Sequence, residues 1–414
     1  MSGQTVVILG ANLTGGAMAS TLRDDGFDGR LIMIGAEPHP PYERPPLSKE
    51  YLRGEASFDS SLLRPASWYE ENAVELLTGV RADRVDVRAR TVVMEDGDAI
   101  GYDRLLIATG GRNRALDVPG KDLPGILSLR TVEEADAIRA AAAEGGQALV
   151  VGAGLIGCEV AASLRALGVD VDVVEIYDGP LIRMVGPEIA SVLEAIHREH
   201  GVRFHFGQTV SSFMGDSRVR AVLTDEGEHL EADLVVVAVG IDPELGAVRG
   251  SGIAIDNGVL VDESLRTNVE GVFAAGDVAN HLHPLFGRRM RVEHYDNAIK
   301  QGTAAARSML RDGVVFDDPH WFWSDQYEHN LQYLGHARAW DDFIVRGTFE
   351  ERRFLGFYLR DGVVDAVVGL NRGREVRRAA GLIRARRPVD PRLLRDDEVD
   401  LQQLGAELLA EGKA

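Results

Sequence analysis

Two glycine-rich turns, each at the end of an apolar run, constrain this chain more than any other feature. The second turn carries Gly152, Gly154 and Gly157 in the spacing G-x-G-x-x-G, whereas the first, GANLTG, has Asn12 at the middle glycine position. In such a fingerprint the glycines permit a tight turn, a close approach to a pyrophosphate and close packing of the next helix. Asparagine adopts a positive φ more readily than most residues, so we interpret the first turn as modified rather than broken.

Each fingerprint has the surroundings of a dinucleotide site. A β-branched run leads into each turn, and an alanine-rich stretch with helical spacing follows it. A further strand then ends near an acid: Glu37 lies 22 residues after Gly15, and Glu175 lies 18 residues after Gly157. An acid at that distance is placed to bind a ribose hydroxyl. The chain therefore has two βαβ starts, which predict an α/β fold with two Rossmann-like dinucleotide-binding domains.

Later segments extend this pattern. Three more segments run from a strand into a glycine turn: YDRLLIATGG, ADLVVVAVGIDP and TNVEGVFAAGDVAN. The strand of the third segment ends at Gly276 and Asp277. From Trp321 onward, short apolar pieces are separated by Gly and Asp, which is typical of antiparallel strands. The pattern predicts a C-terminal α+β domain with an antiparallel sheet.

Charge and cysteine content exclude several classes of protein. The 414 residues carry a formal net charge of −20, which repels the phosphates of nucleic acids and anionic membranes. The single cysteine, Cys158, excludes both a disulfide framework and an intramolecular redox dithiol. No apolar stretch approaches the ~20 residues of a membrane helix, and the first strand is not preceded by a basic segment and an apolar run, so we expect no leader segment. We expect a cytoplasmic protein without nucleic-acid or membrane partners, and we assign no metal site.

A set of motifs, in order along nearly the whole chain, resembles one flavoprotein family. The motifs are GANLTGG, PPYERPPLSKEYLRG, LLIATGGRNR, LRTVEEADAI, VVGAGLIGCEVAASL, TNVEGVFAAGDVAN, VEHYDNAIKQG and FWSDQY. The chain is thereby similar to the oxygenase-coupled NADH:ferredoxin reductases, which are glutathione-reductase-like FAD- and NAD-dependent pyridine nucleotide oxidoreductases. RPPLSK and FWSDQY are specific to that branch, whereas ATG and AAGD are shared by the wider class.

The resemblance implies cofactors, domains and a reaction. Non-covalent FAD would bind at the first fingerprint and NADH at the second. The FAD-binding domain would comprise residues 1–110 and 232–320, the NAD-binding domain 111–231, and the C-terminal domain 321–414. Electrons would pass from NADH through FAD to a two-iron two-sulfur ferredoxin that feeds a cytochrome P-450 or a Rieske-type oxygenase.

The resemblance also implies site residues. Lys49 would lie near the reactive edge of the flavin, and Glu159 would face it, so that the pair adjusts its charge as the flavin gains electrons. The candidate cofactor-binding residues are Gly10, Asn12, Leu13, Thr14, Gly15, Glu37, Arg44, Lys49, Val80, Ala108, Thr109, Gly110, Arg130, Gly152, Gly154, Leu155, Ile156, Gly157, Glu159, Glu175, Arg183, Gly240, Gly276, Asp277, Glu293, His294, Tyr295 and Trp323.

Several of these assignments have a purely structural alternative. Asp277, assigned to the ribityl chain of FAD, is also in a position to cap a helix. Arg44 and Arg130, assigned to the FAD phosphates, are equally consistent with surface ion pairs. Trp323 and Tyr295, assigned to the face of the isoalloxazine ring, are also consistent with packing in a core.

The sequence departs from the family pattern at four positions. Asn12 replaces the second glycine, Ala36 stands where an acid commonly precedes Glu37, and Tyr295 stands where tryptophan is common. Gly179 replaces an arginine in the NADH half. These departures concern cofactor affinity more than the class of reaction.

A basic segment reverses the overall charge locally. Residues 371–387 contain seven arginines and one acid. We predict that it binds the acidic ferredoxin through electrostatic steering, although a solvated helix face has the same composition. The candidate residues are Arg372, Arg374, Arg377, Arg378 and Arg384, joined by Arg288, Arg289 and Arg291. We expect a monomer or a weak dimer.

Two other functions remain open at this point. An NADH oxidase or peroxide reductase would use Cys158 as a single reactive cysteine, although packing in the fingerprint helix is the more plausible role of this residue. A flavoprotein similar to apoptosis-inducing factor would instead have a binding role, with NADH turnover secondary. Comparing turnover with ferredoxin and with oxygen separates these alternatives from a reductase.

Overall fold

The fold divides into two compact units, and each unit is built from stretches that alternate along the chain. The computed structural model describes residues 3–411. The first unit comprises the chain up to Glu43, Phe58–Arg112 and Asp242–His320. The second comprises Arg44–Ser57, Asn113–Ile241 and the chain from Trp321 onward. The first unit therefore consists of three separate stretches of the chain.

The helices alternate with the strands of the two units. In chain order they are α1 Leu13–Asp24, α2 Ala66–Glu71, α3 Val132–Ala143, α4 Leu155–Ala166, α5 Ile182–Glu199, α6 Tyr295–Leu310, α7 Gly373–Arg378, α8 Ala380–Ala385, α9 Pro391–Arg395 and α10 Leu401–Glu411. α5 is kinked at Gly186, which has a non-helical φ of 76° and directly precedes Pro187.

The strands are short, as is usual in proteins of this class. In chain order they are β1 Thr5–Leu9, β2 Arg30–Ile34, β3 Val74–Leu77, β4 Ala82–Asp86, β5 Thr91–Met94, β6 Ala99–Gly101, β7 Arg104–Ile107, β8 Gly111–Asn113, β9 Ile126–Ser128, β10 Gln147–Val151, β11 Asp170–Glu175, β12 Arg203–Phe206, β13 Val210–Met214, β14 Ala221–Thr224, β15 His229–Glu231, β16 Leu234–Val237, β17 Ile241–Pro243, β18 Val259–Val261, β19 Val272–Ala274, β20 Ala279–His283, β21 Arg288–Met290, β22 Trp321–Gln326, β23 His329–Gly335, β24 Asp342–Thr348, β25 Arg353–Arg360 and β26 Val363–Leu370.

The first unit is built on a parallel sheet with the strand order β19-β7-β1-β2-β3. Its strands are runs of Val, Ile, Leu and Met because both faces of a parallel sheet are covered, and Val6–Ile8 and Leu105–Ile107 are fully buried. α1 lies close to α6, and a Cβ added at Gly302 would be 2.5 Å from the carbonyl oxygen of Thr14. That contact positions the start of α1 at the carboxyl edge of the sheet.

The second unit contains a matching parallel sheet with the order β12-β11-β10-β16-β9. β16 pairs with β10, so residues 234–237 belong to this sheet and the predicted domain boundary at residue 232 is too early. The segment 44–57 also belongs to the second unit rather than the first. An apolar run such as LVVV specifies a buried strand but not its sheet, which explains the error.

The chain from Trp321 forms an antiparallel sheet of its own, in the order β22-β23-β26-β25-β24, followed by α7–α10. β24 carries Arg346, whose guanidinium is buried and donates to three backbone carbonyl oxygens: Leu394 at 2.7 Å, Leu393 at 2.9 Å and Val399 at 3.1 Å. These bonds attach the segment around α9 to the sheet. Together with the two parallel sheets, this sheet confirms the predicted fold class.

The α-helices of the described residues are 5–18 residues long. Within residues 3–411, none has both the length and the apolar composition needed to span a membrane.

Candidate functional site

The first fingerprint forms the tight turn that a dinucleotide site needs. Gly10 has a φ of 128°, and a Cβ there would lie 2.1 Å from the carbonyl oxygen of Ala108. A Cβ at Gly15 would lie 2.1 Å from the carbonyl oxygen of Gly10. Both positions therefore require glycine, and the turn brings β1 against the segment after β7.

Asn12 acts in this turn through its side chain rather than through an unusual backbone. Its φ is −129°, so the expectation that asparagine is tolerated there because of a positive φ is wrong. It is the N-cap of α1: its Oδ1 accepts from the backbone N–H of Thr14 at 3.1 Å and of Gly15 at 3.3 Å. Its Nδ2 donates to the carbonyl oxygen of Ala108 at 2.5 Å. The cap thus binds N–H groups that a pyrophosphate would use at a helix N-terminus.

This competition leads to a prediction about Asn12. We expect Asn12→Gly to bind FAD several-fold more tightly, because it frees the N–H groups of Thr14 and Gly15 for the ligand. We expect Asn12→Ala to lower the free energy of unfolding of the flavin-free protein by about 1 kcal/mol, since the cap is lost. Both effects are measured by titrating flavin-stripped protein with FAD and by urea unfolding.

A matched control is Asp390→Ala, which removes the side-chain cap of α9, an acceptor for the N–H of Arg392 at 2.9 Å. It should cost comparable stability without changing FAD affinity. Weaker FAD binding by Asn12→Gly than by the parent would show that the asparagine assists the phosphate rather than competing with it.

Other first-fingerprint candidates surround this turn in the first unit. Gly276 has a φ of 77°, and a Cβ there would meet Thr14 Oγ1 at 2.3 Å, so the AAGD segment packs directly on the start of α1. Glu37, three residues after the end of β2, accepts a hydrogen bond from the Tyr42 hydroxyl. Thr109 Oγ1 donates to the carbonyl oxygen of Glu244 at 2.6 Å. These contacts hold three segments that carry candidate FAD-binding residues, and the roles of those residues in binding FAD stay predictions.

Asp277 lies inside a short 3-10 helix, Gly276–Val278, whose N-cap is Ala275. The alternative interpretation of Asp277 as a helix cap is therefore wrong, and its assignment to the ribityl chain stays a prediction.

The second fingerprint has the same turn without a side-chain cap. A Cβ at Gly157 would lie 1.9 Å from the carbonyl oxygen of Gly152, whose own φ is 98°. Gly154 is the N-cap of α4, and a Cβ there would meet no atom within 4 Å. Glycine offers no side-chain acceptor, so the first N–H groups of α4 keep their affinity for an anion. Leu155 and Ile156 follow at the start of the helix. This turn fits a dinucleotide pyrophosphate.

Glu175 is a buried carboxylate bound to the backbone of this turn. Its Oε2 accepts from the N–H of Ala153 at 2.5 Å, and its Oε1 accepts from the N–H of Tyr177 at 3.0 Å. The side chain therefore has one orientation, and its negative charge lies where a ribose would bind. The Arg183 guanidinium lies 5.3 Å from the centre of the Tyr177 ring, so a cation is present on this edge of the site.

Little space is available for a side chain at Gly179, the position where the family often has an arginine. A Cβ at this position would lie 3.2 Å from the Cβ of Ala190, which is tighter than an ordinary contact. A side chain therefore needs a small shift of α5, and Arg183 supplies the nearby positive charge instead.

The buried pair of Lys49 and Glu159 is the most distinctive part of the candidate site. Lys49 Nζ lies 2.6 Å from Glu159 Oε2, and the two side chains are 9% and 4% exposed. Lys49 also donates to the carbonyl oxygen of Pro45 at 3.1 Å. Lys49 is therefore not a surface lysine, because the segment 44–57 folds against α4 within the second unit.

Sequence reasoning missed two residues that complete this pair. Ser48 Oγ donates to Glu159 Oε2 at 2.5 Å, and Ser324 Oγ donates to Glu159 Oε1 at 2.7 Å. Ser48 belongs to RPPLSK and Ser324 to FWSDQY, the two motifs specific to the branch. A buried polar residue in each branch-specific motif was the available signal.

The remaining candidates differ in how the structure supports them. Arg44 donates to the backbone carbonyl oxygen of Arg130, so these two residues do lie together. Trp323 is only partly buried and donates to Asp325 at 3.1 Å, and Tyr295 is partly buried and donates to Glu43 at 2.6 Å. Neither aromatic residue is a core residue, contrary to the packing alternative.

Tyr295 begins α6, and burial followed by its bond to Glu43 raises the pKa of its hydroxyl. His294 is the N-cap of α6 without a side-chain bond to the helix, and Glu293 pairs with Arg291 at 2.7 Å. The cofactor roles of these residues stay predictions. The same is true of the remaining positions in this group, which are Leu13, Val80, Gly110 and Gly240.

Cys158 does not have the environment of a reactive thiol. It is buried in α4, and burial, followed by the charges of Glu159 and Glu175, raises the pKa of the thiol well above its ordinary value. A nucleophilic cysteine needs the thiolate. Its surroundings therefore disfavour single-cysteine peroxide chemistry and support a packing role.

Two protein families match consecutive parts of the chain, and similar proteins match nearly its whole length. The pyridine nucleotide-disulphide oxidoreductase family matches residues 4–302, and the reductase C-terminal family matches residues 321–405. The ferredoxin reductase component of chlorobenzene dioxygenase from Cupriavidus sp. (strain PS12) is 37% identical over 400 residues, covering 96% of this chain and 97% of that protein.

Two solved structures are similar in fold. The ferredoxin reductase for the CYP199A2 system from Rhodopseudomonas palustris is 35% identical with a TM-score of 0.94, covering 97% of this chain and 100% of that chain. The covalent putidaredoxin reductase–putidaredoxin complex is 34% identical with a TM-score of 0.94, covering 100% of both chains.

Proposed function

Because the chain belongs to the pyridine nucleotide-disulphide oxidoreductase family and continues into a reductase C-terminal domain, we propose that it is an FAD-dependent NADH:ferredoxin reductase. Its acceptor would be a two-iron two-sulfur ferredoxin that feeds a cytochrome P-450 or a Rieske-type oxygenase. Similar proteins serve a CYP199A2 system and a chlorobenzene dioxygenase, and one was solved in a covalent complex with putidaredoxin.

One observation carries this proposal: two dinucleotide turns occur in a chain whose single cysteine is buried. The disulfide chemistry in the family name needs two cysteines, so electrons taken from NADH cannot leave through a protein dithiol. A separate acceptor is required, and a one-electron iron–sulfur carrier meets that need.

The residues of the chain have distinct tasks in this reaction. When bound, FAD would supply the redox chemistry, which is acceptance of a hydride from NADH and release of single electrons. The glycine turns admit the two pyrophosphates, and Glu175 orients the adenosine ribose of the nicotinamide nucleotide. In the Lys49–Glu159 pair, the carboxylate of Glu159 holds the ammonium of Lys49 at a fixed position and balances its charge. The fixed ammonium would stabilise negative charge on the reduced flavin.

The direct test is reduction and reoxidation of the wild-type protein. Purified protein should bind about one FAD per chain without a covalent bond, bleach on addition of NADH and transfer the electrons to a two-iron two-sulfur ferredoxin faster than to oxygen. Failure to bind FAD or to be bleached by NADH would refute the proposal. Faster transfer to oxygen would favour the oxidase alternative, and slow transfer to both would favour a binding role similar to that of apoptosis-inducing factor.

Glu175 should determine the choice of nicotinamide nucleotide. The parent should prefer NADH, because a buried carboxylate at the ribose repels the additional phosphate of NADPH. We expect Glu175→Gln to lower the ratio of kcat/KM for NADH to that for NADPH by about tenfold, which corresponds to about 1.4 kcal/mol. Steady-state kinetics with both nucleotides measure this ratio.

Glu188→Gln is the matched control, since it makes the same charge change at an exposed position of α5. It should leave the ratio unchanged. A parent that prefers NADPH, or a Glu175→Gln variant with the parental ratio, would contradict the role of Glu175.

The predicted ferredoxin surface becomes smaller in the structure. Arg372 is only 11% exposed and is paired with Glu375 and Asp397, so it is not available for docking. Arg289 donates to the backbone carbonyl oxygens of Val261 and Asn280.

Arg291 is paired with Glu293, and Arg384 is half-buried. Arg374, Arg377 and Arg378 remain exposed on α7, and Arg377 lies 5.8 Å from the centre of the Trp321 ring. We therefore assign the docking of ferredoxin to these three arginines.

Charge reversal on this helix should slow electron transfer selectively. We expect Arg374→Glu with Arg378→Glu to lower the rate of ferredoxin reduction about tenfold at low salt, with a smaller difference at high salt, because steering acts over a Debye length of about 8–10 Å. Reduction of the flavin by NADH should be unchanged. Stopped-flow kinetics at several salt concentrations measure both steps.

The control is Arg81→Glu with Arg88→Glu, which changes the net charge equally at exposed positions of the first unit. Equal slowing by the two pairs of substitutions would mean that net charge, rather than α7, controls the association.

A further inference from the structure

A chain of buried polar side chains runs from Glu159 to His197 within the second unit. Ser324 Oγ lies 2.7 Å from Glu159 Oε1, and Gln326 Nε2 lies 3.0 Å from Ser324 Oγ. Gln326 Oε1 lies 2.9 Å from His197 Nε2, and the Tyr327 hydroxyl lies 3.1 Å from His197 Nδ1. Ser324, Gln326 and His197 are all buried, although they belong to β22 and to α5.

The charge on Glu159 determines the direction of every bond in this chain. An ionised carboxylate only accepts hydrogen bonds, so the one hydroxyl hydrogen of Ser324 points to Glu159. The amide of Gln326 must then donate its NH₂ to Ser324, which turns its carbonyl oxygen toward His197.

The consequence continues into the histidine ring. The carbonyl oxygen of Gln326 only accepts, so His197 carries its hydrogen on Nε2, and its Nδ1 accepts from the Tyr327 hydroxyl. Burial, opposed by the bond to Gln326, lowers the pKa of His197 to about 4, so the ring is neutral at pH 7. All the donors of the chain therefore point toward the carboxylate, and such aligned bonds strengthen one another.

We propose that Ser324 and Gln326, held by His197, are positioning residues that keep the Glu159 carboxylate oriented toward Lys49. Its effect on the rate of flavin reduction rests on the proposed function. The direction of the hydrogen bonds does not depend on that function. The chain is not a proton path to Glu159, because the Gln326 amide would have to lose a proton to transmit one.

The ion pair alone satisfies only one of the two carboxylate oxygens of Glu159, and Ser324 satisfies the other. Lys49 and Ser48 satisfy Glu159 Oε2, whereas Ser324 is the side chain that donates to Oε1 among the hydrogen bonds of the described residues. Without that donor a buried carboxylate oxygen would be left unsatisfied, which is costly. Lys49 would then face a carboxylate free to rotate.

The tautomer of His197 tests the direction of the chain without any cofactor chemistry. Two-bond ¹H–¹⁵N spectra of protein labelled at histidine nitrogen, with the signal assigned from a His197→Gln variant, should show the Nε2–H tautomer at pH 7. In Glu159→Gln the constraint is removed, and the Nδ1–H form should become populated. An Nδ1–H tautomer in the wild type, or an unchanged spectrum in Glu159→Gln, would overturn the proposal.

The second measurement is the reduction of the bound flavin by NADH in stopped flow. We expect Ser324→Ala to lower the limiting rate tenfold or more while the KM for NADH changes less than twofold. Gln326→Leu, which leaves the Ser324–Glu159 contact in place, should show a smaller loss of the same kind. The control is Ser211→Ala, which removes a hydroxyl bonded to the backbone of β14 and should match the wild type.

These outcomes separate positioning from a general structural role. A limiting rate in Ser324→Ala equal to that of Ser211→Ala, or an equal loss in rate and in NADH affinity, would overturn the proposal. A wild-type protein that NADH does not reduce would refute the proposed function instead, and the spectra of His197 would still decide the direction of the chain.

Discussion

Replacing Lys49 with methionine is expected to lower the free energy of unfolding by about 3–5 kcal/mol, because it leaves the buried Glu159 carboxylate without its counter-charge. The ammonium lies 2.6 Å from the carboxylate, and both side chains are nearly inaccessible to water. Flavin reduction by NADH should also slow about 10²-fold, since a preorganised positive group is lost at the site. Urea unfolding and stopped-flow reduction measure the two effects.

A second substitution separates the two roles of the pair. Lys49→Met combined with Glu159→Gln should regain at least half of the lost stability, because the unpaired buried charge is removed. The rate of flavin reduction should stay low, because the positive group is still absent. If the double variant recovers both properties, the ion pair has only a structural role.

Lys121→Met provides the matched control on a solvent-exposed pair. Lys121 lies 2.7 Å from Asp117, but its side chain is 44% exposed, so the substitution should leave the free energy of unfolding nearly unchanged. A loss as large as that of Lys49→Met would show that burial does not explain the effect.

Replacing Arg346 with methionine should lower the free energy of unfolding by a similar amount, about 3–5 kcal/mol. Arg346 is 1% exposed, and its guanidinium donates to the carbonyl oxygens of Leu393, Leu394 and Val399. Without it, three carbonyl oxygens in and after α9 lose their donor, and the buried one of Leu394 alone costs about 1–3 kcal/mol. Arg346→Lys should recover only part of the loss, because an ammonium lacks the planar fork that reaches all three.

Arg353 provides the control for this prediction. It lies on the neighbouring strand β25, is exposed and makes one bond, 3.3 Å long, to the carbonyl oxygen of Asn371. Arg353→Met should change the free energy of unfolding by less than about 0.5 kcal/mol. Equal losses in the two methionine variants, measured by urea unfolding, would contradict the role assigned to the three carbonyl contacts.

Much of the fold is determined by local sequence. Gly10 and Gly152 are required by turns in which any side chain would collide with the backbone of a neighbouring strand. Runs such as VVIL and LVVV indicate buried strands, and the same local signals placed Glu37 and Glu175 at strand ends. These features were predictable because the residue pattern that marks each of them lies within about 30 residues of the chain, although the atoms that exclude a side chain at Gly10 and Gly152 belong to distant segments.

The tertiary structure alone decided the contacts between distant segments. Asn12 caps α1 while bonding to Ala108, and Ser324 completes the coordination of Glu159, 165 residues away. The same holds for β16, which pairs in the second sheet, and for Arg372, whose partners remove it from the docking surface. An apolar or polar residue type specifies whether a side chain is buried or needs a partner. It does not specify which partner, because that depends on how segments far apart in the chain pack together.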